Sequence, residues 1–219
     1  MKKKIGLVAG ISVIVLVLIG VGLFLLLNKD SINTDNTSAN LYGTWCVYRR
    51  GADMVEDEYI VFGDDTVSDY RGDLTNPYFE SVFSYSKNKL SIGDSSYSVK
   101  VISENNVILV DSSTIEWKML RVSNERSLDF SVSDDALVGA YDVLRVGGED
   151  KKNEVMTFDR TSLHDERAGV MYLEVNYSWD GPNSIFVPDL STKYLVFVLD
   201  ANLYLIDMNE GYVWELSRR

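Results

Sequence analysis

The chain has 219 residues, 46% of them hydrophobic, and a formal charge of −12, a size that allows one or two domains. Its acidity opposes nucleic acid and anionic lipid as partners of the soluble part, because binding phosphate needs a positive surface. One cysteine, Cys46, rules out an internal disulfide and, with His164 the only histidine, argues against a zinc site.

The first element follows MKKK. The run IGLVAGISVIVLVLIGVGLFLLL, residues 5–27, carries no charge. As a helix it is roughly 34 Å long, against a hydrocarbon core of about 30 Å. A secretory signal has an apolar stretch of only about 7–15 residues. The nearest imitation of a cleavage site, Thr37-Ser38-Ala39, lies well beyond the run. A single transmembrane helix is therefore expected within residues 1–27, acting as a signal anchor, with a cleaved signal as the alternative. Lys2, Lys3 and Lys4 keep the N-terminus cytoplasmic. Gly6 and Gly10 form a GxxxG pair, read as ordinary composition for such a helix. The expected location is the cell membrane, single-pass, with the C-terminal part outside the cytoplasm.

Residues 28–40, NKDSINTDNTSAN, are polar and aperiodic and read as a flexible tether. Without Lys2, Lys3, Lys4, Lys29 and Asp30 the remaining chain carries about −15. An outward-facing acidic domain lacking disulfides fits a bacterial cell envelope.

The rest of the chain repeats itself. LYGTWCVYRR at 41–50 returns as LVGAYDVLRV at 137–146, an offset of 96. In step with it, Gly51 meets Gly147, Glu58 meets Glu154, Phe62 meets Phe158, Asp69 meets Asp165 and Arg71 meets Arg167. Later, with small changes of offset, FSYS matches VNYSW, YSVKV matches YLVFV, and WKMLR matches WELSR. This ordered series is a tandem duplication: repeat 1 over 41–122, a polar linker over 123–135, repeat 2 over 136–219.

Short β runs broken by turn residues fill each copy. In repeat 1 strands are expected at 43–48, 58–62, 66–70, 79–86, 89–92, 96–103, 107–110 and 115–122. Gly63-Asp64-Asp65, Lys87-Asn88, Gly93-Asp94, Asn105-Asn106 and Ser112-Ser113 supply the turns. In the last strand Ile115, Trp117 and Met119 fall on one side, Glu116 and Lys118 on the other. Beyond the anchor no helical periodicity persists over three turns. One capped turn is expected at Ser133 to Leu137. The fold class is all-β: two tandem small antiparallel up-and-down β-barrels after one N-terminal transmembrane helix. Closure removes exposed strand edges; a pair of open sandwiches is the alternative.

Gly43-x-Trp45 in the first strand, with Arg121 near the end of the last, resembles the signature of lipocalin-like small β-barrels. That resemblance implies that Trp45 closes one end of the barrel and that Arg121 lies across its ring. In repeat 2 it implies a plug of Tyr141 and Arg218. A guanidinium over an aromatic face is worth about 0.5–2 kcal/mol. The resemblance also implies a carrier or sensor of a small apolar molecule, although each copy is shorter than a full lipocalin.

YLVFVLDANLYLIDM, residues 194–208, is apolar on both faces, whereas a barrel strand needs one. If Tyr194, Val196 and Val198 point inward, Leu195, Phe197 and Leu199 form an outer apolar surface. It either packs on the first barrel or receives another envelope protein or a second copy.

Catalytic signals are sparse. His164 has Ser68 as its counterpart, so it is no shared site. Cys46 alternates with Trp45 and belongs to the exterior or an interface. The recurring Glu58/Glu154 and Asp69/Asp165 read as scaffold partners of Arg71/Arg167. DMNEG at 207–211 lacks the distant bidentate Glu of a calcium loop, and no phosphate-cradling glycine loop occurs. The expectation is a non-catalytic interaction module of the cell envelope, with no cofactor or metal; the alternative is the small-ligand carrier.

Overall fold

The computed structural model describes residues 40–219. The expected anchor and most of the tether fall outside the described residues; among those described, no helix is long and apolar enough to cross a membrane.

Repeat 1 forms β1 (Gly43–Arg50), β2 (Asp53–Met54), β3 (Glu58–Phe62), β4 (Thr66–Arg71), β5 (Phe79–Ser86), β6 (Lys89–Ile92), β7 (Ser95–Ser103), β8 (Asn106–Val110) and β9 (Glu116–Ser123). Neighbours pair antiparallel in chain order, and β9 returns to pair with β1, so the sheet is closed. The two-residue β2 hangs on the end of β1. Strand positions follow the alternation and turn chemistry. Lys87 and Asn88 both adopt positive φ, 51° and 59°, which is the two-residue turn whose twist suits a hairpin. Ile115 stands just before β9 and is exposed, while Trp117 and Met119 turn inward.

Repeat 2 follows one helical turn, Asp134–Leu137, capped by the Ser133 hydroxyl. Its strands are β10 (Gly139–Val146), β11 (Glu149–Asp150), β12 (Glu154–Phe158), β13 (Ser162–Arg167), β14 (Val170–Asn176), β15 (Ser178–Gly181), β16 (Ser184–Val187), β17 (Thr192–Leu199), β18 (Asn202–Asp207) and β19 (Val213–Arg218). The wall is nearly closed: β14 pairs only with β13, and β15 only with β16. Tyr177 joins the two, its amide donating to Thr161 O at 2.9 Å and its hydroxyl to Asp159 O at 2.5 Å. The closed barrel makes the same bend within one strand, since the first half of β5 pairs with β4 and the second half with β6. Strands of the two repeats never share a sheet.

Each barrel is filled. Trp45, Val47, Ile60, Phe62, Leu90 and Met119 are among the buried residues that pack the first interior. Tyr141, Val143, Phe158, Ile185, Val196 and Leu205 do so in the second. A third apolar cluster belongs to both barrels. It joins Cys46, Tyr48, Tyr59, Leu120 and Val122, on the outside of the first, to the outer faces of β17, β18 and β19.

Here the segment 123–135 departs from the expected polar linker. Leu128 and Phe130 pack into the shared cluster and Val132 against the second interior. The Val132 amide bonds to Pro182 O at 2.9 Å. The segment is a strap wedged along the seam.

Candidate functional site

At the barrel mouths, register brings the repeated residues together. Trp45 is the strand partner of Arg121, and Tyr141 of Arg218. The Arg121 guanidinium sits 4.7 Å from the centre of the Trp45 ring; Arg218 lies 5.7 Å from that of Tyr141. Gly43 allows this closure: at φ +113°, a Cβ there would come within 2.5 Å of Ser123 O. Indole Nε1–H donates to Leu41 O at 2.8 Å, and the Tyr141 hydroxyl to Leu137 O at 3.0 Å. Arg121 also donates to Asn40 O. Beside the Tyr141 plug remains a space of about 110 Å³, lined in part by Ala136, Leu203 and Arg218.

At the opposite end the recurring carboxylates pair as partners of arginine. Arg71 contacts Asp69 at 2.6 Å and Glu58 at 3.7 Å, while Arg50 pairs with Glu58. Arg167 contacts Asp165 at 2.9 Å and Glu154 at 3.3 Å. Where repeat 1 has Arg50, repeat 2 has Val146, so its pair of carboxylates shares a single guanidinium. Burial pushes both Glu58 and Glu154 up from the ordinary value, against the pull of the arginines.

His164 has an unexpected setting. Its Nε2 is 3.2 Å from Ser162 Oγ and 3.3 Å from Asp159 Oδ2. A hydrolytic relay needs serine and carboxylate on opposite ring nitrogens. Here both meet the same nitrogen, so the arrangement relays nothing.

A concavity of about 310 Å³ lies on the seam. Leu195, Phe197 and Leu199, the outer apolar surface of β17, are at most 6% exposed because they pack in the cluster shared with the first barrel. Tyr194 and Val196 point into the second interior, which accounts for the two apolar faces of this strand. Phe130 of the strap stacks on Tyr59 at 4.4 Å and meets the edge of Phe197 at 6.0 Å. It thus joins one side chain of each barrel. Polar contacts ring the seam: Lys193 to Glu56 at 3.0 Å, Arg49 to Glu210 O at 3.3 Å, Asn105 to the Tyr204 hydroxyl at 3.0 Å, and Asn124 to Asp200 at 2.8 Å. Cys46 is fully buried in the seam, and burial pushes its thiol far above the ordinary range.

The strap leaves a cavity on each side, with Asp129, Phe130 and Ser131 bordering both. One is about 220 Å³. The other is a groove of about 310 Å³ with Tyr59, Leu74, Leu128, Phe130 and Leu195 among its apolar lining. Glu56, Asp57, Asp129 and Asp180 stand around it with one cation, Lys193. The Glu56 carboxylate, foremost through its hydrogen bond, holds the Lys193 ammonium above its ordinary value. Its other carboxylate contact is Asp180 at 3.5 Å.

Sequence reasoning located the plug residues and the apolar face of β17 but not this groove. A signal was present: in SLDFSVS, residues 127–133, Leu128, Phe130 and Val132 alternate with polar residues at the period of a strand with one buried face. No protein-family model matches the chain, and no curated protein matches it.

Proposed function

We propose that this chain is a membrane-anchored, extracytoplasmic tandem of lipocalin-like barrels that acts by binding, as a non-catalytic interaction module of the cell envelope. The anchor rests on the uncharged run 5–27 behind Lys2, Lys3 and Lys4. The lipocalin-like assignment rests on the Gly43-x-Trp45 strand and on Arg121 over the Trp45 ring.

One observation carries the binding reading: the barrel interiors are packed with side chains, while the 310 Å³ groove lies outside them, between the barrels. Ligand pockets start at about 300 Å³. The space beside Tyr141, about 110 Å³, falls short of that, which favours an interaction module over a carrier of small apolar molecules.

The test is photo-crosslinking in intact cells, with the photoreactive residue at Ser131 in the groove or at Lys89 outside it. The expected result is a discrete adduct with an envelope protein from Ser131 only, in a chain that sediments with membranes and is digested by protease added outside. An absence of adducts, or equal adducts from both positions, would overturn the reading.

A further inference from the structure

Resting on that reading, we infer that the seam groove receives a short cationic and apolar peptide segment of a partner protein, with Lys or Arg side chains among the rim carboxylates.

The chemistry of the lining selects this occupant. Four carboxylates, Glu56, Asp57, Asp129 and Asp180, face one ammonium, Lys193, leaving the rim strongly negative. An anionic ligand is repelled. A purely apolar one strips water from carboxylates and offers nothing in return. A second copy of this chain, with a net charge of −12, brings more carboxylates to the same rim. A metal ion finds no cage, because no group of three or more His, Cys, Asp or Glu among the described residues is arranged to hold one. A peptide bearing cations satisfies the rim and brings apolar side chains to Leu74, Leu128 and the part-exposed Phe130.

The apolar lining favours a peptide over a simple amine, because Leu74, Leu128 and Phe130 offer contacts that a small cation leaves unused. Tyr59 and Phe130, stacked at 4.4 Å, anchor the floor where the two barrels and the strap meet. The groove therefore exists only while the barrels are docked.

Fluorescence anisotropy with the full chain tests this, using a labelled hexapeptide, Lys-Leu-Lys-Trp-Lys-Leu, and its counterpart with Glu at each Lys. The Lys peptide should bind, more weakly as salt rises. The variant E56Q/D57N/D180N should bind it on the order of tenfold less tightly. Asn at position 57 tolerates the positive φ of 56° found there. The variant E104Q/E166Q/E174Q, which removes as much charge outside the groove, should bind like the parent. Equal loss in both variants reduces the effect to net charge and overturns the inference. Preference for the Glu peptide overturns the cationic occupant but leaves an interaction module standing. Binding of neither peptide also overturns the inference, and the Ser131 crosslink then decides the module separately.

Discussion

Asp142 and Arg219 meet at 2.7 Å on the outside of the second barrel, where the first barrel has Cys46 and Val122 and buries both against its neighbour. The reciprocal exchange occurs on the first barrel. Lys100 and Glu116, paired at 2.9 Å, occupy the positions of Phe197 and Val213. The barrels thus dock head to tail, using two different faces, and each unused counterpart face carries an ion pair. A heterologous contact of this kind has no reason to stop at two unless the open ends are made polar. The variant K100F/E116V/D142V/R219V should assemble into chains without a closed size. Sedimentation velocity checks it: a mass that grows with concentration well beyond the parent's is expected, and unchanged sedimentation would refute the capping role.

Phe130 should contribute to docking far more than a linker residue does. Truncating a buried Phe costs about 3–5 kcal/mol, and this partly covered ring about 2–3 kcal/mol. F130A should shift the urea midpoint accordingly, with little change at S127A, a strap residue whose side chain lies outside the apolar cluster. Equal effects of the two would place the docking energy elsewhere.

Cys46 reports on the same event. Its thiol is fully buried in the seam and burial holds it protonated. Alkylation in native buffer should be slow, and F130A should accelerate it by loosening the seam before either barrel unfolds. Rapid labelling of the parent chain would contradict the packing described.

The two plugs should differ in worth. Arg121 is buried and close over Trp45, whereas Arg218 is exposed and a further 1.0 Å from its ring centre, at 5.7 Å against 4.7 Å. Cation–π contacts strengthen with desolvation, from about 0.5 to about 2 kcal/mol. R121A should therefore cost about 1–2 kcal/mol and R218A about 0.5 kcal/mol or less, read from chemical unfolding.

Glu58 and Glu154 should part company in the same way. Both carboxyls are raised by burial, so the folded state binds their protons more tightly than the unfolded chain does. The stability each contributes is complete below the ordinary value of 4.5 and is lost as pH rises through the higher folded value. Glu58 has two guanidiniums beside it, Arg50 and Arg71; Glu154 shares Arg167 with Asp165. At pH 7 burial works against both ionised forms, so E58Q, which also takes a partner from Arg50, should cost no more than about 1 kcal/mol, and E154Q should be neutral or stabilising. E154Q should also flatten the decline in stability between pH 4 and 7. An E154Q chain as steep as the parent would show that this carboxyl does not drive the slope.

Most of the barrel architecture was legible in the residues because its causes are local. Period-two alternation and turn pairs such as Lys87-Asn88 fall close to the observed strand ends, and Lys87 and Asn88 do adopt the conformation that such a turn requires. Barrel closure implies the pairing of first and last strands, and the lipocalin-like resemblance implies the meeting of Trp45 and Arg121 that this pairing produces. Residues 123–135 read as a polar linker because polar residues outnumber Leu128, Phe130 and Val132, yet these three alternate at the period of a strand and pack along the seam.

By itself, then, the amino-acid sequence determined the repeat and the strands, since these follow from spacing along the chain, while the plug residues follow from what the lipocalin-like resemblance implies. Only the tertiary structure decided which outer faces meet, where Phe130 wedges, and that Glu56, Asp57, Asp129 and Asp180 border one groove. Those residues lie on separate loops and on the strap, and nothing in their local sequence records the docking of two barrels that brings them together.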